Sequence, residues 1–292
     1  VQPSGKVKAG GCGSATEAKQ SAAVGLWAYD AGAAIRSTPA QGQDGVVYVG
    51  DSKGRLHAVT PQGKKKWLFN AGMAIDSSPA IGSKGVLYFG SDNSKVYALS
   101  SVGSTVWTFS TGGKVTGSIA VGNSSTIYAS SEDGSLYAID GDGLEKWKVD
   151  TGAPIISSPV VGVDKRIYVA STNKKLYAIT KTGKTSWSYK LESTIKTDLA
   201  MAKDGTVYIG QSNGLVTAIS SGGSFKWNYL AGGDVTGAPV VGGDGTVFAG
   251  LDDGNIYAID AEMGIQKWGL NVGNKVNSSP AIAADEIGRA SC

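Results

Sequence analysis

Between residues 77 and 112 the chain passes through four short apolar runs separated by polar turns. Ser77-Ser78-Pro79-Ala80-Ile81 is followed by a turn at Ser83-Lys84-Gly85, then by Val86-Leu87-Tyr88-Phe89-Gly90. A turn at Asp92-Asn93-Ser94 leads into Val96-Tyr97-Ala98-Leu99, and Gly103 separates that run from Trp107-Thr108-Phe109, which ends at Gly112. β-Branched and aromatic residues fill the runs, while Gly, Asn, Asp and Ser fill the gaps, as in strands joined by tight turns. Connections this short force antiparallel neighbours, so the segment predicts a four-stranded meander with strands A to D.

The same pattern recurs along the chain. Strand A reappears at Ser37-Thr38-Pro39, Ser157-Ser158-Pro159, Gly237-Ala238-Pro239 and Ser278-Ser279-Pro280, and more loosely at Gly117-Ser118-Ile119 and Thr197-Asp198-Leu199. Strand D is marked by Trp27, Trp67, Trp107, Trp147, Trp187, Trp227 and Trp268, five gaps of forty residues and one of forty-one. A period of this length marks a unit that cannot bury its apolar face alone and stacks on copies of itself. Gly63, Gly103, Gly143, Gly183, Gly223 and Gly264 stand four residues before a Trp, where a C-to-D hairpin needs a positive φ. Most strand-D tryptophans are also followed, five residues on, by a glycine where the chain leaves one sheet for the next. Glu192 breaks that rule, so its loop should be irregular, and the extra residue of the long gap is absorbed near Ala261-Glu262-Met263.

Radially arranged four-stranded sheets of this size make an all-β propeller. Small residues on strand A suit convergence on a narrow channel, and each Trp can lie flat between neighbouring blades as a docking element. Six complete A-to-D units run from Ser37 to Trp268, leaving an orphan D strand at Trp27 and an orphan A strand at Ser278. Together these predict seven blades, the last closed by both termini. The propeller body is then 27–283, with 1–26 contributing to the closing blade or partly disordered and 284–292 a tail that can be vector-derived. Such closure would bring Cys12 and Cys292 into one sheet, where they can pair.

Composition narrows the function classes. Glycine is 43 of 292 residues, net charge is +3, and no apolar run reaches membrane-spanning length. The charge bias is too weak to imply nucleic acid, and the Lys64-Lys65-Lys66 run reads as a solvated turn. With His57 the only histidine and the cysteines at the termini, neither a zinc site nor a Ser-His-Asp or Cys-His arrangement is expected. Asp140-Gly141-Asp142-Gly143-Leu144-Glu145 is too short for a calcium loop and reads as a hairpin.

Asp133-Gly134-Ser135-Leu136-Tyr137-Ala138-Ile139-Asp140, followed by Gly143 and Trp147, resembles the pyrroloquinoline-quinone-like repeat, as does Asp253-Gly254-Asn255-Ile256-Tyr257-Ala258-Ile259-Asp260. The resemblance covers roughly 27–283. WD40 is a poor rival, since no Gly-His or Trp-Asp pair occurs. The family includes quinoprotein dehydrogenases, the propeller lipoprotein of the β-barrel assembly machinery, and binding ectodomains. The dehydrogenases are about twice this length and carry a vicinal Cys-Cys pair and a calcium site, which this chain lacks. The resemblance therefore implies the assembly-machinery type more than the dehydrogenases, with neither the quinone nor calcium as cofactor.

A site, if present, would lie at the channel mouth, where D-to-A and B-to-C loops share a face. The position before strand A carries Arg36, Asp76, Thr116, Ile156, Lys196, Thr236 and Asn277, and the polar members of this set are candidate ligand-binding residues. The preceding ring, Ile35, Ile75, Val115, Ile155, Ile195, Val235 and Val276, is uniformly apolar and predicts packing. The leading expectation is a non-catalytic, monomeric binding or scaffold propeller for a protein, peptide or small ligand, periplasmic, envelope-bound or secreted in a prokaryote. Ala9-Gly10-Gly11-Cys12 resembles a lipoprotein processing site without its preceding apolar segment, so any membrane tie would be a lipid anchor outside this chain. Glycan recognition and a degenerate quinone-dependent oxidoreductase are the alternatives.

Overall fold

The computed structural model describes residues 27–122, 125–282 and 289–290. Six four-stranded antiparallel sheets follow one another, each in the order A-B-C-D. Blade 1 consists of Ala40–Gln41, Val47–Gly50, Arg55–Val59 and Lys65–Asn70, and blade 2 of Ala80–Ile81, Leu87–Ser91, Lys95–Leu99 and Thr105–Ser110. Blades 3 and 4 end in the D strands Glu145–Asp150 and Thr185–Lys190, and blades 5 and 6 in Phe225–Leu230 and Gln266–Asn271. The chain divides into two compact units, one holding blades 1 to 4 and ending at Lys190, the other beginning at Leu191 and holding blades 5 and 6.

Burial explains why these residues form these strands. The B and C strands are buried on both faces, as in Leu87–Ser91, whereas every D strand alternates between exposed and half-buried positions. A strand sandwiched between two neighbouring sheets needs apolar residues at every position, while an outer strand needs them at every second one. The core is accordingly a series of layers between successive blades. One such layer joins Tyr48, Leu56 and Ala58 of blade 1 to Ile75, Leu87 and Phe89 of blade 2, and another joins Tyr208 and Trp227 of blade 5 to Val247 and Ile259 of blade 6.

The A strands are shorter than the sequence predicts, only two residues each, and in blades 1, 2, 4 and 6 they begin after the proline rather than at the residues before it. Proline has no N–H for the ladder. The first serine closes the sheet instead: Ser37 Oγ accepts from Gly50 N at 2.9 Å and Ser157 Oγ from Ala170 N at 3.0 Å. Lys65 and Lys66, expected in a turn, open the D strand of blade 1.

All six C-to-D pairings contain a bulge at the same place, between the alanine and the residue after it, and each sets that alanine opposite the tryptophan, as in Ala98 with Trp107. The extra residue increases twist. The alanine leaves room for the indole.

The expected seventh blade appears in part. Pro280–Ala281 pairs with Arg289–Ala290, so the tail beyond 283 supplies a strand. Trp27 does not lie in a strand, unlike the other six tryptophans. Cys12 and Cys292 lie outside the described residues.

Candidate functional site

The seams between blades show what the repeated tryptophans do. Trp27, Trp67, Trp107 and Trp147 each cover the C-to-D glycine of the following blade. A Cβ on Gly63, Gly103, Gly143 or Gly183 would stand 2.6–2.8 Å from an indole carbon. Trp227 covers Gly264 in the same way. Each indole then donates Nε1–H to a backbone carbonyl of that hairpin: Trp27 to Pro61 at 2.8 Å, Trp67 to Ser101 at 3.0 Å, Trp107 to Gly141 at 2.9 Å, Trp147 to Lys181 at 2.9 Å and Trp227 to Ala261 at 3.0 Å. Trp187 packs on Tyr168 and Trp268 on Phe248 within their own blades, with ring centroids 5.8 Å apart in both cases. Most of the tryptophans are half-buried, Trp227 is buried and Trp27 is exposed.

Serine carries a second seam that the sequence pattern did not reveal. Thr38 N donates to Ser78 Oγ at 2.8 Å, Ser78 N to Ser118 Oγ at 3.2 Å, and Ser118 N to Ser158 Oγ at 2.8 Å, one blade to the next. Ala238 N and Ser279 Oγ repeat this in the other unit at 3.0 Å. The forty-residue spacing of these serines was the available signal.

On the loop face, each D-to-A segment is held from two sides. In blade 2, Asp92 N donates to Ala74 O at 2.9 Å, while Ile75 N donates to Asp51 O of blade 1 at 3.1 Å. The pairs Glu132–Lys114 with Val115–Ser91, and Asp252–Asp234 with Val235–Gln211, repeat the arrangement. At four seams the apolar ring residue inserts where strand B of the preceding blade carries glycine: Gly50 faces Ile75, Gly90 Val115, Gly210 Val235 and Gly250 Val276, so close that a Cβ on any of the four would clash. Ile35 departs from the expectation that the whole ring is packed. It is 46% exposed, while Ile75, Val115, Ile155 and Val235 are fully buried. Blade 1 is the first described sheet of its unit, so no strand-B glycine precedes Ile35 to receive it.

The six candidate residues split between the two units. Arg36 reaches Asp76 at 3.7 Å, a pair linking adjacent blades, and Thr116 is half-buried on the next loop. Asp76 Oδ1 is buried with no hydrogen-bond partner. In the other unit Lys196 pairs with Asp234 at 3.3 Å, Thr236 Oγ1 donates to Val276 O at 2.6 Å, and Asn277 is exposed. Neighbouring Lys114 pairs with Asp92 at 2.8 Å; that hydrogen bond and charge, with Glu132 and Asp76 adding, raise the ammonium above its ordinary pKa. Within each unit, Arg36, Asp76, Lys196 and Thr236 each engage a neighbouring group. Glu192 takes no left-handed φ; its loop is tied instead by Ser193 N donating to Gln211 Oε1 at 2.8 Å.

One polar network escaped sequence reasoning. In blade 1 the buried Asp51 Oδ1 accepts from the backbone N–H of Lys53 and Arg55, both at 2.9 Å, and Oδ2 lies 2.7 Å from Arg55 Nε and 3.0 Å from His57 Nε2. His57 Nδ1 is 3.0 Å from the Tyr29 hydroxyl, and Arg55 Nη2 donates to Ala31 O at 2.6 Å. Burial pushes the Asp51 carboxyl up, but the hydrogen bonds from His57, Arg55 and Lys53 outweigh it and bring the pKa down to about 2. The arrangement ties the incoming segment 29–31 to blade 1. Blade 2 does the same with Asn93 Nδ2, which donates to Ala71 O at 2.6 Å and to Tyr97 Oη at 2.7 Å. Aligning the repeats gives the signal: Asp51 stands where blades 2 to 4 have Ser91, Ser131 and Ser171, and His57 where they have Tyr97, Tyr137 and Tyr177.

Asp140 Oδ1 accepts from Asp142 N at 3.0 Å and Leu144 N at 2.9 Å, the geometry of a capped hairpin. Among the described residues no group of three or more His, Cys, Asp or Glu is arranged to hold a metal ion.

Blades of this kind, with indoles docking each on its successor, define a β-propeller built from pyrroloquinoline-quinone-type repeats. The family profile described as outer membrane protein assembly factor BamB matches residues 52–194 and 92–288, and the chain belongs to that family. Among solved structures it is similar to BamB from Moraxella catarrhalis, with a TM-score of 0.76 and 20% identity, over 88% of this chain and 80% of that one. A likeness at that identity is one of fold. No curated protein matches the chain.

Proposed function

We propose that this propeller is a non-catalytic, protein-binding scaffold of the bacterial cell envelope that serves outer-membrane protein assembly, with residues 27–283 as its working body. The observation that carries the reading is family membership over nearly the whole propeller, joined to a fold match over 88% of the chain. The loop face supports it: loops pinned by backbone hydrogen bonds on both sides present varied polar side chains on a rigid base, which suits recognition rather than turnover. Asp51, Asp76, Asp92 and Asp234 of that face are engaged with lysines, arginines and backbone N–H groups.

The test is removal of the chain from its host, with quantification of outer-membrane proteins. Their abundance should fall and should recover when the intact chain is supplied. Unchanged abundance would overturn the reading. Turnover of an alcohol or sugar by the purified chain supplied with the quinone and calcium would replace it with the oxidoreductase alternative.

A further inference from the structure

Charge is distributed very unevenly among blades that otherwise look alike. The chain as a whole is +3, yet residues 151–190, which contain blade 4, hold seven basic side chains and one acid, a local charge of +6. Residues 231–271, which contain blade 6, hold six acids and one base, a local charge of −5.

Three of the blade 4 lysines meet at one corner. Lys175 and Lys190 face each other directly across strands C and D, and both are exposed. Residues so paired have Cβ atoms about 5 Å apart on one face of the sheet, and like charges there are destabilising. The other blades put Arg55 opposite Asn70, Lys95 opposite Ser110 and Ser135 opposite Asp150 in this place. Lys174 sits beside them in the B-to-C turn at φ +63°, a left-handed position taken by Gly54, Gly134, Gly214 and Gly254 in four other blades and by Ser94 in blade 2. A lysine there carries a backbone cost that glycine avoids. Among the described residues none of the three ammonium groups has an acidic partner, although Lys114 and Lys196 on D-to-A loops and Lys148 on the D strand of blade 3 all do.

We infer that the outer rim of blade 4, from Lys174, Lys175 and Lys190 along strand D to Lys184, is a docking surface for an extended acidic segment of a partner protein. The inference rests on the scaffold reading and names the chemistry of its partner. Charge complementarity favours a carboxylate-bearing chain. Lys184 and Lys190 flank a six-residue outer strand about 20 Å long, the span of an extended peptide of the same length. The lysines are spread along that edge as flexible point charges, with no arginine fork among them such as bidentate phosphate recognition uses.

The probe is a fluorescent eight-residue peptide alternating Asp or Glu with Ser, followed by anisotropy. Binding should weaken at least about tenfold on replacing Lys174, Lys175 and Lys190 together by Gln, and less than about twofold in the charge-matched control Lys64→Gln, Lys65→Gln, Lys84→Gln. Arginine at the three positions, which keeps the charge, should bind as the intact chain does. The inference is overturned if both triple variants weaken alike, if the intact chain does not bind, or if it binds only vesicles of phosphatidylglycerol or inorganic phosphate. In cells, whole-chain removal that lowers outer-membrane proteins while the Lys174, Lys175, Lys190 triple variant does not would sink the inference alone. No effect of whole-chain removal would sink the scaffold reading and leave the peptide result standing.

Discussion

The hairpin glycines between strands C and D and five of the loop glycines after strand D, Gly32, Gly72, Gly152, Gly232 and Gly273, share a left-handed backbone but not their surroundings. Gly143 has φ +85° and Gly152 φ +82°. A Cβ on Gly143 would lie 2.7 Å from Trp107, whereas one on Gly152 would meet nothing within 4 Å. The hairpin glycines Gly63, Gly103, Gly143, Gly183 and Gly264 therefore serve the seam as well as the turn, and the loop glycines Gly72, Gly152, Gly232 and Gly273 serve the turn alone, while Gly112 packs against Asp133. Sameness along the seams holds the blades together. Openness on the loop face leaves room for residues that differ from blade to blade, and those residues are where recognition can be written without cost to the body.

The largest effect should come from the seam. Trp107→Ala removes the cover of Gly143, the bond to Gly141 O and the contact with Tyr88, whose ring centroid is 5.7 Å away. Because Trp107 is only half-buried, the loss should be about 3 kcal/mol, the low end for removing a tryptophan. Urea denaturation checks it, and a loss under about 1 kcal/mol would break the contrast between seam and loop.

A smaller effect belongs to the buried Asp51 network of blade 1. Asp51 has a folded pKa of about 2 against an ordinary 3.8. A depressed carboxyl contributes stability that is complete above the ordinary value and disappears as pH falls through the folded one. The stability advantage of the wild type over Asp51→Asn should therefore shrink by about 2 kcal/mol between pH 5 and pH 2. A difference independent of pH would assign Asp51 to packing instead.

Smallest of all should be the rim pair. Arg36 is largely exposed and lies 3.7 Å from Asp76, so Arg36→Ala should change stability by less than about 0.5 kcal/mol. A larger loss would mean that the loop face also holds the body together.

Much of the body was legible because the repeat states it many times over. Seven tryptophans, the hairpin glycines and the Tyr-Ala-Ile runs each report one packing relation, and an error in any blade is corrected by the others. The two-residue A strands were misjudged because Ser-Ser-Pro was read as strand, when its serines cap the sheet and bridge to the next blade. The loop face was harder to read. Asp, Asn and Gly are both turn formers and ligand-binding groups, so Asp76 or Asp92 in isolation says nothing of its pairing with Arg36 or Lys114. Asp51 and His57 looked like a turn residue and a strand residue, since their link depends on a register that only the fold supplies.

Gly143→Ala against Gly152→Ala puts the seam to the most direct test. Both variants carry the same backbone penalty, about 1–2 kcal/mol, so the difference between them isolates contact with the indole. Equilibrium unfolding should show Gly143→Ala less stable than Gly152→Ala by about 2 kcal/mol or more, since the added methyl must displace Trp107. Equal losses would contradict a body held together by tryptophan on glycine.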